Sequence, residues 1–126
     1  MATKESMVYV IDDDESIRKS FSRLFRSANL KVETFSSPDE FLSCPIQNEN
    51  ACILLDIRMP GTTGFDLQQK LTVGGISLPV IVVSASDDMQ VRETARRLGA
   101  MSFFRKPVDD QALLDAILWV VSGICK

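Results

Sequence analysis

Short apolar runs alternate along the chain with longer segments in which apolar residues recur at helical spacing. Three runs, residues 7–11, 51–55 and 80–83, are apolar at nearly every position, which is typical of strands buried on both faces of a parallel sheet. Residues 31–35 instead alternate polar and apolar positions, which predicts an edge strand, and residues 101–104 form a short fifth candidate. The pattern therefore predicts five strands.

The segments between the runs carry the periodicity and end signals of helices. The apolar face of the first helix comprises Ile17, Phe21, Leu24, Phe25 and Ala28. Residues 37–40 form a capping box with proline at the first helical position, and Pro45 ends that short helix. The expected caps of the later helices are Thr63, Asp87 or Asp88, and Asp109; the expected ends are Gly74-Gly75 and Gly99. The buried side expected for the last helix comprises Leu113, Leu114, Ile117, Leu118 and Val121.

Five repeated strand–helix units predict an α/β fold, a doubly wound (βα)5 five-stranded parallel sheet with helices on both faces. The length of 126 residues and the 45% of hydrophobic residues fit a single domain, expected over residues 1–126 with a core at about 6–122.

The composition of the chain excludes several kinds of active site and binding partner. The chain has no histidine, which excludes histidine-based catalysis and most zinc sites. A net charge of −3 argues against direct nucleic-acid binding. The three cysteines have no metal-binding spacing, and Cys52 lies in an apolar run, so reduced structural thiols are expected. No apolar leader or membrane span is visible, and we expect a cytoplasmic protein with no membrane contact.

Polar residues stand where the predicted strands end. Asp12 and Asp13 follow the first strand, Asp56 the third and Ser84 the fourth, and Lys106 follows the fifth. In a doubly wound sheet these positions converge at the carboxyl edge, where ligand sites form. Asp14 is explained by a helix cap alone, but adjacent carboxylates repel one another, and a divalent cation would relieve that repulsion.

Carboxylates without histidine or thiol ligands favour Mg²⁺, with Mn²⁺ also suitable. A carboxylate nucleophile, a divalent metal, an ammonium and a hydroxyl are the groups that phosphoryl transfer needs. In that interpretation Asp56 attacks and carries the phosphoryl group, while Lys106 and Ser84 contact its oxygens. The alternatives are ordinary ones: a loop aspartate, a solvated surface lysine and a serine that satisfies a strand end. Pro107 favours the functional interpretation of Lys106, because it fixes the backbone, through a trans or a cis bond, and so aims the ammonium.

Four motifs occur in one order, at residues 10–13 (VIDD), 54–61 (LLDIRMPG), 82–85 (VVSA) and 104–107 (FRKP). Together they resemble the receiver domain of bacterial two-component response regulators, over about residues 6–122. Residues 36–42 (SSPDEFL) and 56–61 (DIRMPG) resemble most closely the receivers of LuxR-type transcription regulators.

The resemblance implies a flavodoxin-like strand order, 2-1-3-4-5, and specific roles for the site residues. Asp56 would accept a phosphoryl group from a sensor histidine kinase. Asp13, Asp56 and the backbone carbonyl of Arg58 would bind Mg²⁺, with Asp12 helping through water. Lys106, Ser84 and the adjacent Ala85 would contact the phosphoryl group. Such a domain assists its own phosphorylation and dephosphorylation but is not an enzyme in the usual sense; Arg58 and Ser86 lie where the phosphoryl lifetime would be set.

The resemblance also implies a switch. Ser84 would move towards the phosphoryl group, and Phe103, where the family often has tyrosine, would turn inward behind it. The responding surface would be the fourth helix, fifth strand and fifth helix, which would control homodimerisation. We expect the receiver of a longer transcription regulator, which would reach DNA only through a C-terminal effector domain absent from this chain, or else a stand-alone receiver.

Two surface features each allow two interpretations. The basic residues of the first helix, Arg18, Lys19, Arg23 and Arg26, form a solvated face or, as the family implies, part of a kinase-docking face. Trp119 and Cys125 join a dimer face or are scattered surface residues.

Two other functions fit parts of the pattern. A haloacid-dehalogenase-type phosphatase also uses an aspartate nucleophile and Mg²⁺, and residues 11–16 loosely match its opening motif; Asp12 would then be modified instead of Asp56. A flavodoxin-like flavin binder shares the topology, but four acids follow the first strand where a flavin phosphate would bind.

Overall fold

Five strand–helix units follow one another in a computed structural model that describes residues 6–47, 49–57, 64–76, 78–85 and 89–122. The strands are β1 (Met7–Ile11), β2 (Lys31–Phe35), β3 (Ala51–Asp56), β4 (Val80–Ser84) and β5 (Ala100–Arg105). The helices are α1 (Glu15–Ser27), α2 (Pro38–Leu42), α3 (Gly64–Val73), α4 (Met89–Arg97) and α5 (Asp110–Ser122). Each predicted strand is present, and β3, β4 and β5 extend one or two residues beyond the predicted bounds.

The strands form one parallel sheet in the order β2-β1-β3-β4-β5, which confirms the predicted fold class. The alternating strand, β2, lies at one edge as its pattern predicted, and the apolar strands β1, β3 and β4 fill the centre. Since all five strands run the same way, their carboxyl ends meet at one edge of the sheet.

Helices cover both faces of the sheet. One face packs against α1 and α5, whose buried residues are Phe21, Phe25, Leu113, Ile117, Val120 and Val121. The other face packs against α2, α3 and α4, whose buried residues in the hydrophobic cluster are Phe41, Leu67, Leu71 and Ala95. The two clusters bury alternate residues of the central strands, as a sheet between two helical layers requires.

Three predicted helix caps are present. The side chain of Asp14 accepts hydrogen bonds from the first turn of α1, and that of Asp109 accepts one from the first turn of α5. Ser37 Oγ accepts from Glu40 N at 3.2 Å. The returning bond differs from a standard capping box, because Glu40 Oε1 accepts from Ser36 N, one residue earlier, at 2.9 Å.

The buried side of α5 was predicted correctly at Leu113, Ile117 and Val121. The prediction for Leu118 was wrong, since 40% of this residue is exposed, and Val120 is buried instead. The buried stripe thus runs over positions 113, 117, 120 and 121, and Leu118 projects about 100° away from Ile117 around the helix.

Cys52 is buried in β3, as its apolar surroundings predicted, and Cys44 is half-buried. Within the described parts of the chain, no helix combines the length and apolarity that crossing a membrane requires. Some predictions fall outside the described residues: those for Arg58, Thr63, Ser86, Asp87, Asp88 and Cys125.

Candidate functional site

Three carboxylates meet at the carboxyl ends of β1 and β3. Ile11 is paired with Leu55 in these adjacent strands, so the residues that follow each of them arrive side by side. Asp12 and Asp56 are almost completely buried, with 1% and 5% exposed, whereas Asp13 is exposed. One carboxylate oxygen from each of the three lies within 4.8 Å of the others. The structure thus brings together the acids that the sequence placed at strand ends.

Asp12 is held by hydrogen bonds through its backbone and through both oxygens of its carboxylate. Its backbone N–H donates to the carbonyl of Phe35 at 3.1 Å, which ties it to the end of β2. Its Oδ1 accepts from Asp14 N at 3.0 Å, and its Oδ2 accepts from Lys106 Nζ at 2.9 Å. The guanidinium of Arg18 donates to its carbonyl at 2.6 Å. Both carboxylate oxygens of Asp12 therefore have protein partners.

Arg18 supports the site in a way that its sequence context does not reveal. The basic pattern of α1 places it on a solvated or docking face, but the side chain turns back one helical turn towards the end of β1. The usable signal is its position four residues after the Asp14 cap, because side chains in a first turn lean towards the helix N-terminus.

Lys106, which follows the edge strand β5, supplies an ammonium to the site. Its Nζ lies 2.9 Å from Asp12 Oδ2 and 3.5 Å from Asp56 Oδ2. Its backbone N–H donates to the carbonyl of Ser84 at 2.8 Å, and the following bond to Pro107 is cis. Burial alone would lower the pKa of Lys106, but the hydrogen bond to Asp12 and the charges of Asp56 and Asp12 outweigh it and raise the pKa above 10.5. The ammonium therefore stays charged at neutral pH.

The residues fit a hard divalent cation. Among the described residues, three carboxylates face the Lys106 ammonium and the Arg18 guanidinium, so the cluster holds an excess of negative charge in a partly buried place. Their oxygens are the ligands that Mg²⁺ and Mn²⁺ prefer, and exposed Asp13 lies on the side open to water, where a hydrated ion would enter.

The other predicted residues surround this cluster. Ser84 is completely buried at the end of β4, one residue beyond Val83, the residue paired with Asp56. Ala85 follows it and is exposed. Phe103, half-buried in β5, is paired with Val82 and lies farther from the carboxyl edge.

Gly64 is a further site residue that the sequence pattern did not single out. It begins α3, and its backbone N–H donates to the carbonyl of Ile57 at 3.1 Å. A Cβ added there would lie 2.7 Å from Ile57 Cα and 2.8 Å from the carbonyl oxygen of Asp56. Only glycine permits so close an approach, and the available signal was a glycine at the predicted start of a helix.

Comparison with known families agrees with this geometry. The family model described as "Response regulator receiver domain" matches residues 8–118. The chain belongs to the response regulator receiver family. Membership confirms the resemblance seen in the motifs, and it decides against the phosphatase and the flavin binder, because receivers are signalling domains rather than a catalytic enzyme family.

Individual proteins show the same relationship. The receiver is 42% identical over 112 residues to the transcriptional regulatory protein TdiR of Thauera aromatica, covering 89% of this chain and 49% of TdiR. It is 38% identical over 117 residues to nodulation protein W of Bradyrhizobium diazoefficiens, covering 93% of this chain and 52% of that protein. The chain thus spans about half the length of the curated relatives that it matches.

Solved structures share the receiver's fold. The response regulator StyR superposes with a TM-score of 0.85 at 39% identity, over 95% of this chain and 61% of that chain. The structure titled FixJ-N gives a TM-score of 0.85 at 27% identity, over 95% and 96% of the two chains.

Proposed function

We propose that this receiver accepts a phosphoryl group on Asp56 from a sensor histidine kinase, in a Mg²⁺-dependent reaction. The observation that carries the proposal is the placement of the nearly buried Asp56 carboxylate 3.5 Å from Lys106 Nζ, within a cluster of two further acids. The proposed nucleophile, an ammonium and oxygens suited to a divalent metal therefore lie together at the carboxyl edge of the sheet.

Asp12 supports the reaction rather than carrying the phosphoryl group. Its two carboxylate oxygens are engaged by Asp14 N and Lys106 Nζ, which fixes it in place. In the transfer, an Asp56 oxygen attacks phosphorus, the phosphorus–nitrogen bond to the kinase imidazole breaks, and that nitrogen keeps the electron pair. An acyl phosphate forms on Asp56.

The charge of the group being transferred needs compensation on several sides. Asp13 and Asp56 would hold Mg²⁺ or Mn²⁺, with the carbonyl of Arg58 as a further expected ligand and Asp12 helping through water. The ion would neutralise charge on the phosphoryl oxygens. Lys106, already charged and aimed at Asp56, would pair with another of these oxygens, and Ser84, with Ala85 beside it, would approach a third.

Incubation with acetyl phosphate and Mg²⁺, followed by intact mass measurement, tests the acceptor. We expect the wild type to gain one phosphoryl group and Asp56→Asn to gain none. Asp115→Asn, which removes an exposed acid on α5, is the matched control and should behave as wild type. Phosphorylation of Asp56→Asn at the wild-type rate would contradict the proposal, and a phosphorylated Asp12 would support a phosphatase-like site instead.

The output is proposed to pass through Ser84 and Phe103 to the surface formed by α4, β5 and α5. Relatives such as TdiR are about twice as long and are named transcriptional regulatory proteins. We therefore propose that phosphorylation changes this surface, promotes homodimerisation and controls an effector domain through which DNA would be bound.

Lys106→Ala separates transmission from metal binding. The variant keeps the three acids, so Mg²⁺ should still bind, but no ammonium would link the phosphoryl group to β5. We expect the phosphorylation-induced amide shifts of α4, β5 and α5 in ¹H–¹⁵N spectra to be largely lost at equal phosphorylation, while the exposed-lysine variant Lys70→Ala keeps them. Full-sized shifts in Lys106→Ala would count against this role.

A further inference from the structure

The ring of Phe103 lies on the face of the sheet that α4 covers. Phe103 packs against the same core cluster as Val91 and the completely buried Ala95 of α4. Its partner in β4 is Val82, and Ser84 follows two residues later on the same face of the sheet. Ser84 and the ring therefore lie on the same face of the sheet, the face that α4 covers.

Arg92 covers this ring from α4. Its guanidinium carbon lies 5.0 Å from the centroid of the Phe103 ring, within the range of a cation–π interaction. The next basic residue on the helix, Arg96, instead pairs with Glu93 at 3.0 Å. Two arginines one turn apart thus have different partners.

We infer that Arg92 is a positioning residue for the switch, and this inference rests on the proposed function. Phe103 has no hydroxyl through which a polar contact could fix its position. The guanidinium of Arg92 supplies such a contact through the ring face, holds the ring beside α4 in the unphosphorylated arrangement and makes ring and helix move together. Losing the contact removes a bias towards that arrangement, and an exposed cation–π pair corresponds to about a two- to fivefold change in the equilibrium.

Fluorine NMR tests the contact in the unphosphorylated protein. The chain contains seven phenylalanines, so labelling with 4-fluorophenylalanine gives seven signals, and Phe103→Leu identifies the one from Phe103. We expect Arg92→Ala and Arg92→Met to shift the Phe103 signal, because both remove the charge over the ring. Met still covers the ring, so it separates the effect of the charge from that of contact alone. Arg92→Lys should largely restore the wild-type signal, and Arg96→Ala, the matched control, should leave it unchanged.

Titration with beryllofluoride and Mg²⁺, a phosphoryl analogue, tests the coupling. We expect the midpoint for Arg92→Ala to fall about two- to fivefold below that of wild type and Arg96→Ala. A Phe103 signal in Arg92→Ala or Arg92→Met that matches wild type would overturn the inference, as would an unchanged midpoint. If beryllofluoride failed to bind wild type, the proposed phosphorylation site would fail instead, while the fluorine signals without analogue would still test the contact.

Discussion

Strands β3 and β5 belong to the same sheet but differ strongly in how deeply their residues are buried. All six residues of β3 are buried between β1 and β4, whereas every residue of β5, at the sheet edge, is partly or fully exposed. The proposed phosphoacceptor, Asp56, lies at the end of β3, and the proposed switch residue, Phe103, lies within β5. A fully packed strand holds a charge in a fixed position, and a half-exposed strand has room to rearrange.

The two strands communicate across β4. Lys106 follows the edge strand β5, yet its ammonium reaches Asp56 at the end of the central strand β3 and Asp12 after β1. Its backbone is tied to Ser84 at the end of β4. The carboxyl edge thus connects the buried strand β3 with the partly exposed strand β5.

Cysteine labelling should show the largest difference. Burial raises the pKa of Cys52 in β3 from 9.0 to about 12, which lowers its thiolate fraction about a thousandfold. In a variant with Cys44→Ser and Cys125→Ser, we expect Cys52 to resist a thiol reagent at pH 8. Met101→Cys, added in β5 where the native side chain is 52% exposed, should react rapidly.

Labelling in guanidinium chloride is the control, since both thiols should then react alike. Rapid native labelling of Cys52 would show that β3 opens as readily as the edge strand, and it would contradict the contrast between the two.

Side-chain truncation should show the next largest difference. Ile53→Ala removes a completely buried residue of β3 and should lower the free energy of unfolding by about 2–5 kcal/mol. Met101→Ala in β5 should change it by no more than about 0.5 kcal/mol. Urea unfolding followed by circular dichroism measures both, and equal losses would mean that β5 is packed as tightly as β3.

Gly64→Ala and Gly99→Ala should show the smallest difference in the free energy of unfolding, but they should differ clearly in the rate of phosphorylation. Gly64→Ala forces apart the backbones at Gly64 and Ile57 and should cost about 1–3 kcal/mol. Gly99→Ala, just before β5, has space for a Cβ but a φ of +104°, and should cost about 1–2 kcal/mol. We expect only Gly64→Ala to slow phosphorylation by acetyl phosphate, because it displaces the backbone of Asp56.

The phosphorylation rates are compared at a temperature where both variants remain folded. Equal slowing in both would attribute the effect to general destabilisation, and a wild-type rate in Gly64→Ala would show that the close approach does not position Asp56.

Much of the fold could be predicted because its signals are local. Apolar runs, an alternating edge strand and capping residues identified every element, since each depends on neighbours within a few positions. The prediction that failed, the burial of Leu118, depended on how α5 is rotated against the sheet. That rotation is set by packing with α1 and by the strands beneath, which no local pattern records.

The candidate site divides in the same way. The acids, Ser84 and Lys106 could be found because strand ends in a parallel sheet must share an edge. Arg18 and Gly64 had only weak local signals, their positions near the start of a helix, and the Arg92–Phe103 contact had none, because each contact depends on how the helices pack on the strands.

The sequence by itself determined the order of strands and helices, the family and the identity of the acidic cluster, because periodicity and motif order are properties of the chain. Only the tertiary structure decided which partner each charged group has. Lys106 and Asp12 are 94 positions apart, yet their atoms meet at 2.9 Å. Electrostatic contacts act over a few ångströms. For two residues so far apart along the chain, the distance between their charged groups is set by the packing of the whole sheet.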